Sequence, residues 1–349
     1  MSRLKRATLT DVARRAGVSV TTASYILNGR TAQMRISAST ERRVKAAIHD
    51  LGYRPNLSAR TLRGSTTRTI GLISDFVASG AFSGQLLSGA IAAARRHDHL
   101  LVTGETLGDP DAEALLLQEM TDRQVDGIVY ATLSASAVRL PDSLRGGRTV
   151  LLNCQDPARP LPSVMADDLA AGAQAATYLV HAGVRGPVHV VGLDVNPDAT
   201  AGRDRLRGIV GALEQAPAEF AGVVPCLWDV EPAYWAVKEI LREGARPEAL
   251  ICLNDRIAFG AYQALEEAGL AIPADVAVIS FDGSELASWL RPRLTSLALP
   301  FAQMGARAVE LLMDPSPAPP DVTRLPLVLE EGGSVLGAAP MRERRSSVL

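Results

Sequence analysis

Residues 8–29 read TLTDVARRAGVSVTTASYILNG and predict two short helices joined by a tight turn. Thr8 can cap the first helix, and Asp11 three residues later suits the N-terminal end of a helix. Gly17 ends this helix, and Ser19 can cap the second one. The apolar residues of both helices recur at helical spacing: Leu9, Val12, Ala13, Ala16, Ala23, Ile26 and Leu27. Two helices connected in this way form a helix-turn-helix.

A third helix completes a small apolar core. Its first residues follow Ser37, whose hydroxyl can cap it, and Gly52 and Pro55 mark its end. The residues at core spacing are Val44, Ala47, Ile48 and Leu51. We therefore predict an all-α headpiece of three helices.

Positive charge is concentrated in the first 66 residues of the chain. Residues 1–66 hold thirteen Lys and Arg against three acidic residues, whereas the remaining 283 residues hold 23 basic and 35 acidic ones. A concentrated positive field favours a polyanion such as DNA. A basic disordered tail is the alternative, but the regular apolar pattern argues against it.

The N-terminal part of the second helix of a helix-turn-helix enters the major groove of DNA. We predict base contacts from Val20, Thr21 and Tyr25. The predicted phosphate contacts are Ser19, Thr22, Ser24 and Asn28. The alternative for each is an ordinary exposed helix residue.

The rest of the chain alternates apolar strand-like runs with helical segments, which is typical of parallel sheets covered by helices. Predicted strands are Thr69–Ser74, Leu100–Thr103, Gly127–Tyr130, Val150–Asn153, Val188–Gly192, Leu250–Leu253 and Val276–Phe281. Predicted helices are 84–97, 111–123, 169–182, 203–215, 232–243 and 256–268. About 270 residues of this kind suit a two-lobed α/β core.

Polar residues follow several of these strands, where open α/β sheets bind ligands. Asp282 ends one strand, Asn254 and Asp255 follow another, and Arg205 lies near the start of a helix. An arginine with carboxylates can bind vicinal hydroxyls, which predicts a sugar as ligand. Two alternatives remain. For Asp255, we favour a role as the N-cap of the helix 256–268 over contact with a ligand. For Arg205 and Asp282, the alternative to ligand binding is a salt bridge between the lobes.

Other classes of site have weak support. Cys154, Cys226 and Cys252 have no metal-ligand spacing and are interpreted as free thiols, buried for Cys154 and Cys252. We interpret His97-Asp98-His99 as an inert, exposed helix end. The sequence has no signal-peptide core and no membrane-length apolar run, so we expect a cytoplasmic protein. It also lacks the common nucleophile, dinucleotide and zinc motifs, so we expect no enzyme, no metal and no cofactor.

The chain closely resembles the LacI/GalR family of bacterial transcriptional repressors. The resemblance lies in residues 8–29, in Leu51-Gly52-Tyr53-Arg54-Pro55-Asn56, and in ordered motifs that continue nearly to the C-terminus. These later motifs are 69–73, 125–128, Asp167-Asp168 through Gly172, 205–208, Asn254-Asp255, 279–282, 294–296 leading to Pro300, and Met304-Gly305.

The resemblance implies a homodimeric repressor that binds an inverted-repeat DNA operator and whose affinity a small effector controls. It implies a periplasmic-binding-protein type of core that crosses between its lobes near 165, 296 and 325. The implied domains are a headpiece (1–55), a hinge helix (56–67), a core (68–335) and a tail (336–349). The N-lobe would comprise about 68–165 and 297–325, and the C-lobe about 166–296 and 326–335.

The resemblance also implies functional residues. The effector contacts would be Arg205 and Asp282, then Asn254, with Asp167, Trp228, Asp75 and Phe82 lining the cleft. In the hinge, Leu62 would enter the minor groove as an apolar wedge, with Ala59 beside it. The alternative is a plain linker with Leu62 in a domain interface. Thr8, Tyr53 and Asn56 complete the predicted DNA-binding set.

Two departures from the family limit what the resemblance implies. Tyr25 stands where the family often has arginine, so the operator half-site should differ from the usual one. Gly80-Ala81-Phe82-Ser83 stands where relatives often have an Asn-Pro-Phe-Phe run at the cleft. The effector could also be a nucleobase or another metabolite that acts as a co-repressor. An enzyme of the α/β class and a DNA-architectural protein are the competing functions, and the tail has no heptad repeat that would predict a tetramer.

Overall fold

The computed structural model describes residues 7–27, 29–53, 66–76, 83–144, 147–193, 198–316, 319 and 321–337. The chain divides into two compact units, Met1–Thr67 and Arg68–Leu349.

The first unit contains the three predicted helices: α1 (Leu9–Ala16), α2 (Val20–Leu27) and α3 (Ala38–Asp50). Thr8 and Asp11 form a capping box at α1, and Ser37 caps α3 through the backbone N–H of Thr40. Gly17 ends α1 with a φ of 65°, a left-handed conformation that glycine adopts without strain. The helices bury one cluster between them: Val12, Ala13, Ala16, Ala23, Ile26, Val44 and Ala47.

The second unit is a two-lobed α/β core, which confirms the predicted fold class. The strands are β1 (Thr69–Ser74), β2 (Leu100–Glu105), β3 (Gly127–Ala137), β4 (Thr149–Gln155), β5 (Ser163–Ala166), β6 (Pro187–Val191), β7 (Glu219–Val224), β8 (Ala249–Cys252), β9 (Ala277–Asp282), β10 (Thr295–Ala298), β11 (Val322–Leu325) and β12 (Val328–Glu330). The helices are α4 (Ser83–Arg96), α5 (Pro110–Asp122), α6 (Asp168–His181), α7 (Ala201–Leu213), α8 (Val230–Arg242), α9 (Asp255–Glu267), α10 (Glu285–Trp289) and α11 (Phe301–Met313), with a 3₁₀ turn at Asp142–Leu144.

Each lobe has one six-stranded sheet. The N-lobe sheet has the order β11-β5-β4-β3-β1-β2 and its strand pairs are parallel. The C-lobe sheet has the order β12-β10-β9-β8-β6-β7, and only its last strand, β12, is antiparallel. Parallel sheets covered by helices are buried on both faces, which explains the fully buried β8 and β9.

Most of the elements that the sequence patterns did not predict are short; the exceptions are β7 with six residues and α11 with 13 residues. The predicted strands and helices all occur, but β3 continues seven residues beyond its predicted end at Tyr130. The elements that were not predicted are β5, β7, β10, β11, β12, α10 and α11. Most of these strands have only three or four residues, too few to show a periodicity.

Among the described residues, the chain passes between the lobes at three places: between β5 and α6, between β10 and α11, and between β11 and β12. The first and third passages lie side by side, because the backbone N–H of Asp167 donates to the carbonyl of Leu325 at 2.9 Å. At the second, the N–H of Leu299 donates to the carbonyl of Asp282 at 3.1 Å. Asp282 therefore lies both at a strand end and at the hinge between the lobes.

Candidate functional site

The N-terminal turn of α2 presents the predicted DNA-reading residues outward. The Ser19 hydroxyl accepts from the N–H of Thr22 at 3.0 Å, and the two hydroxyls lie 2.8 Å apart. Val20 is 44% exposed and Thr21 is exposed, while Thr22, Ser24 and Tyr25 are half-buried. Caps of this kind hold the start of a helix rigid, which suits a recognition helix.

Thr8 and Tyr53 have structural roles in the headpiece. Thr8 exchanges hydrogen bonds with Asp11 at the start of α1. Tyr53 packs against the headpiece cluster, and burial raises the pKa of its hydroxyl. The predicted contacts Asn28, Asn56, Ala59 and Leu62, and the cleft residue Phe82, lie outside the described residues.

In the core, Arg205 is the centre of a buried polar cluster at the carboxyl end of the C-lobe sheet. The residue is 2% exposed, and its Nε donates to Oδ1 of Asp168 at 2.8 Å. Nη1 donates to the carbonyl of Leu253 at 2.5 Å. The guanidinium carbon lies 4.6 Å from the ring centre of Phe281 and 5.6 Å from that of Trp228. The alternative of a salt bridge from Arg205 to Asp282 is therefore wrong as stated: the ion-pair partner is Asp168, and all three residues belong to the C-lobe.

Asp282 is buried without a cation in direct contact among the described residues. It is 8% exposed and has a φ of 110°, a strained conformation for a residue with a side chain. Burial raises the pKa of its carboxyl well above the usual range, and nearby Asp255 raises it further. Arg205 opposes this shift in part. Strain and an unfavourable charge at one buried position are typical of functional sites.

Asn254 and Asp255 both have structural roles that differ from those that the sequence indicated. Asn254 is the N-cap of α9, because its Oδ1 accepts from the N–H of Ile257 at 2.8 Å. The interpretation of Asp255 as the cap is therefore wrong. Its buried carboxylate instead accepts from the hydroxyls of Ser280, Ser284 and Ser296 and from the N–H of Ser284. Asn254 donates to the carbonyl of Trp228 at 3.5 Å, so most of its hydrogen-bonding capacity serves the fold.

Trp228 and Asp167 flank this cluster. The Nε1 atom of Trp228 is buried and has no hydrogen-bond partner in the described part of the chain. An indole N–H in that position can donate to a bound molecule. Asp167 caps α6 through the N–H of Ala170 at 3.1 Å, one residue before Asp168.

The N-lobe contributes a second polar edge. Oδ1 of Asp75, at the end of β1, accepts from the hydroxyl of Ser74 and from the N–H groups of Phe76 and Leu133. A pocket of about 160 Å³ adjoins it, and its polar lining includes Thr106, Glu113, Tyr130 and Thr132. Tyr130 donates a hydrogen bond to Glu113. The sequence patterns did not predict these four residues or Asp168, although Thr106 and Asp168 follow the ends of β2 and β5, which was a usable signal.

The cysteines and the histidines of residues 97–99 are the remaining candidates. Cys154 and Cys252 are buried free thiols, and burial raises the pKa of Cys154 to about 12. The His99 side chain is buried rather than exposed as expected, with Nε2 3.2 Å from Oδ2 of Asp126. No metal-binding group of three or more His, Cys, Asp or Glu occurs among the described residues. In the same residues, no helix has the length and apolar character needed to cross a membrane.

Comparison with known proteins agrees with this architecture. The family model "Bacterial regulatory proteins, lacI family" matches residues 8–56, and "Periplasmic binding proteins and sugar binding domain of LacI family" matches residues 67–328. Catabolite control protein A of Priestia megaterium is 30% identical over 308 residues, covering 87% of this chain and 91% of that protein. The transcriptional repressor PurR of Vibrio atlanticus is 28% identical over 312 residues, covering 88% and 91%.

Solved structures show the same fold. The lac repressor dimer bound to operator and the anti-inducer ONPF has a TM-score of 0.80 at 24% identity, covering 95% of this chain and 100% of that one. The complex of the transcriptional regulator CelR with cellobiose has a TM-score of 0.63 at 26% identity, covering 94% and 100%. With family models that match both units, this chain belongs to the LacI family of bacterial regulatory proteins.

Proposed function

We propose that this protein is a transcriptional repressor that binds an inverted-repeat operator as a homodimer and whose operator affinity is set by a sugar bound in the core. One observation carries the proposal. Arg205, buried and paired with Asp168, and Asp282, buried without a cation in direct contact among the described residues, both belong to the C-lobe, and Asp282 lies at the passage between the lobes in a chain that also has a helix-turn-helix headpiece. A ligand at such a hinge can bind one arrangement of the lobes better than another, which is the requirement for allosteric control.

Dimerisation follows from the geometry of reading DNA. One helix-turn-helix contacts a half-site, and two-fold symmetry matches an inverted repeat. The lac repressor structure is described as a dimer bound to operator, which supports the same arrangement for this chain. The hinge segment 56–67 would join the headpiece to the core, with Leu62 entering the minor groove.

The DNA-binding part is tested by selecting operators from a random duplex library with the purified protein. Thr21→Ala should weaken binding to the selected operator by about fivefold or more, because one base contact is worth about 1–3 kcal/mol. Binding to unrelated DNA should stay unchanged, since phosphate contacts dominate it. Ser39→Ala, which removes an exposed hydroxyl on α3, is the control. Equal operator affinity for Thr21→Ala and wild type would remove Thr21 from the reading surface.

The effector is sought by a thermal-shift screen of metabolites, because a ligand that binds only the folded state raises its stability. Each compound that shifts the melting temperature is then added to the protein–operator complex. Release of DNA identifies an inducer, and tighter binding identifies a co-repressor. The ribose operon repressor of Haemophilus influenzae, a relative 29% identical to this chain, supports a sugar, and a nucleobase or another metabolite is the second candidate class. Consumption of the ligand would instead indicate an enzyme.

A further inference from the structure

Asp168 has an unexpected position in the core. It follows Asp167, whose backbone lies at the first passage between the lobes, and it is the first residue of α6. Its side chain is 5% exposed and pairs with Arg205, which is 37 residues away. The contact therefore links the hinge directly to the predicted effector-binding arginine.

The surroundings of Arg205 fix the orientation of its guanidinium group. Asp168 holds Nε, the carbonyl of Leu253 holds Nη1, and the rings of Phe281 and Trp228 lie against the guanidinium. For Nη2 there is no partner among the described residues, so its two N–H groups remain available for a ligand. Arg205 thus offers a ligand a pre-oriented donor.

Asp168 also cancels the charge of Arg205. A guanidinium paired with a carboxylate in a buried site attracts a second anion far less than a free one would. The neighbouring acids supply no positive charge: Asp255 is already satisfied by serine donors, and Asp282 is more than nine-tenths buried with no direct cation among the described residues. The described cluster therefore offers a ligand three carboxyl groups and one guanidinium that is already paired. A phosphate or carboxylate on the ligand would find no free positive charge there, whereas a hydroxyl can donate to a carboxyl oxygen of Asp282.

We infer that Asp168 is a positioning and specificity residue, which orients Arg205 as a neutralised hydrogen-bond donor so that the cleft selects an uncharged polyhydroxylated effector over its phosphorylated or carboxylated counterparts. The inference rests on the proposed function, because it concerns the same effector cleft. It adds the charge class of the effector and a residue through which that class is selected.

The first test uses matched pairs of ligands on the wild-type protein. Ribose, glucose, galactose and fructose are each compared with their monophosphates, and gluconate and inorganic phosphate are included as further anions. We expect at least one uncharged sugar to raise the melting temperature, and calorimetric titration to show at least tenfold tighter binding than for its phosphate. A phosphate ester that binds as tightly as its parent sugar, or a panel in which no uncharged sugar binds, overturns the inference.

The second test changes the charge while keeping the shape. Asp168→Asn should weaken binding of the uncharged sugar and strengthen binding of its phosphate, so the ratio of the two affinities should fall by tenfold or more. Asp204→Asn, the same change beside Arg207 on α7, is the matched control. A purely structural role for Asp168 would lower the melting temperature and leave the ratio unchanged, which would contradict the inference. If the variant does not fold, the wild-type ligand pairs still decide, and operator selection tests the proposed function independently of either result.

Discussion

Asp282 is a buried acidic residue with a positive φ. The shift of its pKa determines whether the stability of the folded protein rises or falls with pH. Because the carboxyl has a higher pKa in the folded chain than in the unfolded chain, the folded state binds more protons above the ordinary aspartate pKa near 4. Raising the pH through the window between those two pKa values lowers stability. At neutral pH this residue therefore destabilises the ligand-free protein.

Asp282→Asn removes that charge and keeps a residue type that tolerates positive φ. We expect the variant to be more stable than wild type at pH 7, by on the order of 1 kcal/mol, as is common when a strained functional group is replaced. The difference should shrink as the pH approaches 4, and the effector response should be lost. Urea unfolding at pH 7 and near pH 4 measures both effects. Lower stability of the variant at pH 7 would contradict this account.

Arg205 and Asp168 form a buried ion pair, so removing one partner leaves the other without compensation. Arg205→Ala should lower the free energy of unfolding by about 3–5 kcal/mol. Adding Asp168→Asn to the same chain should recover part of this loss, since no buried charge then remains. Denaturation of wild type, both single variants and the double variant gives the coupling energy. Simple additivity of the two losses would mean that the side chains do not stabilise each other.

At the scale of elements, the ion pair depends on how closely α6 and α7 approach. A Cβ atom on Gly172 of α6 would overlap the carbonyl oxygen of Arg205, and one on Gly208 of α7 would overlap the carbonyl of Leu169. The two helices therefore touch backbone to backbone, which only glycine permits. This contact explains why glycine follows both Asp167-Asp168 and Arg205 in the family-like motifs.

Gly172→Ala should force α6 and α7 apart and destabilise the core by about 1–3 kcal/mol, as overpacking does. Because the movement displaces Arg205, effector binding should weaken as well. Gly211→Ala, on α7 with open space at its Cβ position, is the matched control and should be neutral or stabilising by up to about 1 kcal/mol. Chemical unfolding and effector titration compare the two. Equal stability and equal effector binding of the two variants would show that neither property depends on the close approach of α6 and α7.

At the scale of the whole core, backbone hydrogen bonds join the lobes directly. The N–H of Ala137 donates to the carbonyl of Asp198, and the N–H of Thr200 donates to the carbonyl of Ala135, each at 2.8 Å. Ser136 and Ala199 therefore face each other as an antiparallel pair. Thr200 directly precedes α7, which carries Arg205. The extended end of β3 thus connects the N-lobe to the helix that carries Arg205.

Ser136→Cys with Ala199→Cys should form a disulfide that locks the lobes in this arrangement. Such non-hydrogen-bonded pairs have Cα atoms about 4.5 Å apart, within the disulfide range of about 4.4–6.8 Å. Since an effector acts only by favouring one arrangement over another, operator affinity of the oxidised variant should not respond to the effector found in the screen. Operator titration with and without reductant measures this, and the response should return on reduction. Persistence of the full response after oxidation would exclude lobe movement as the means by which the effector controls operator affinity.

Much of the fold was predictable because its signals are local. The caps Thr8 and Ser37, the glycine turn and the apolar spacing of each helix act within a few residues, and the structure has them as predicted. Long strands of the core were found for the same reason, since buried parallel strands are continuous apolar runs. The position of Asp282 at a strand end also indicated a site. The sequence by itself therefore determined the order of most elements and the edge of the sheet where polar residues gather.

Only the tertiary structure decided which partners these polar residues have. Asp168 meets Arg205 because α6 and α7 touch through Gly172 and Gly208, a contact between segments far apart in sequence. The short strands β10 to β12 exist because neighbouring strands pair with them, and their three or four residues carry too little pattern to predict them alone. An electrostatic interaction depends on distance in space and on burial, and neither is a property of a local stretch of chain. For that reason the pairing of Arg205 with Asp168, on which the proposed effector class rests, could be read only from the folded molecule.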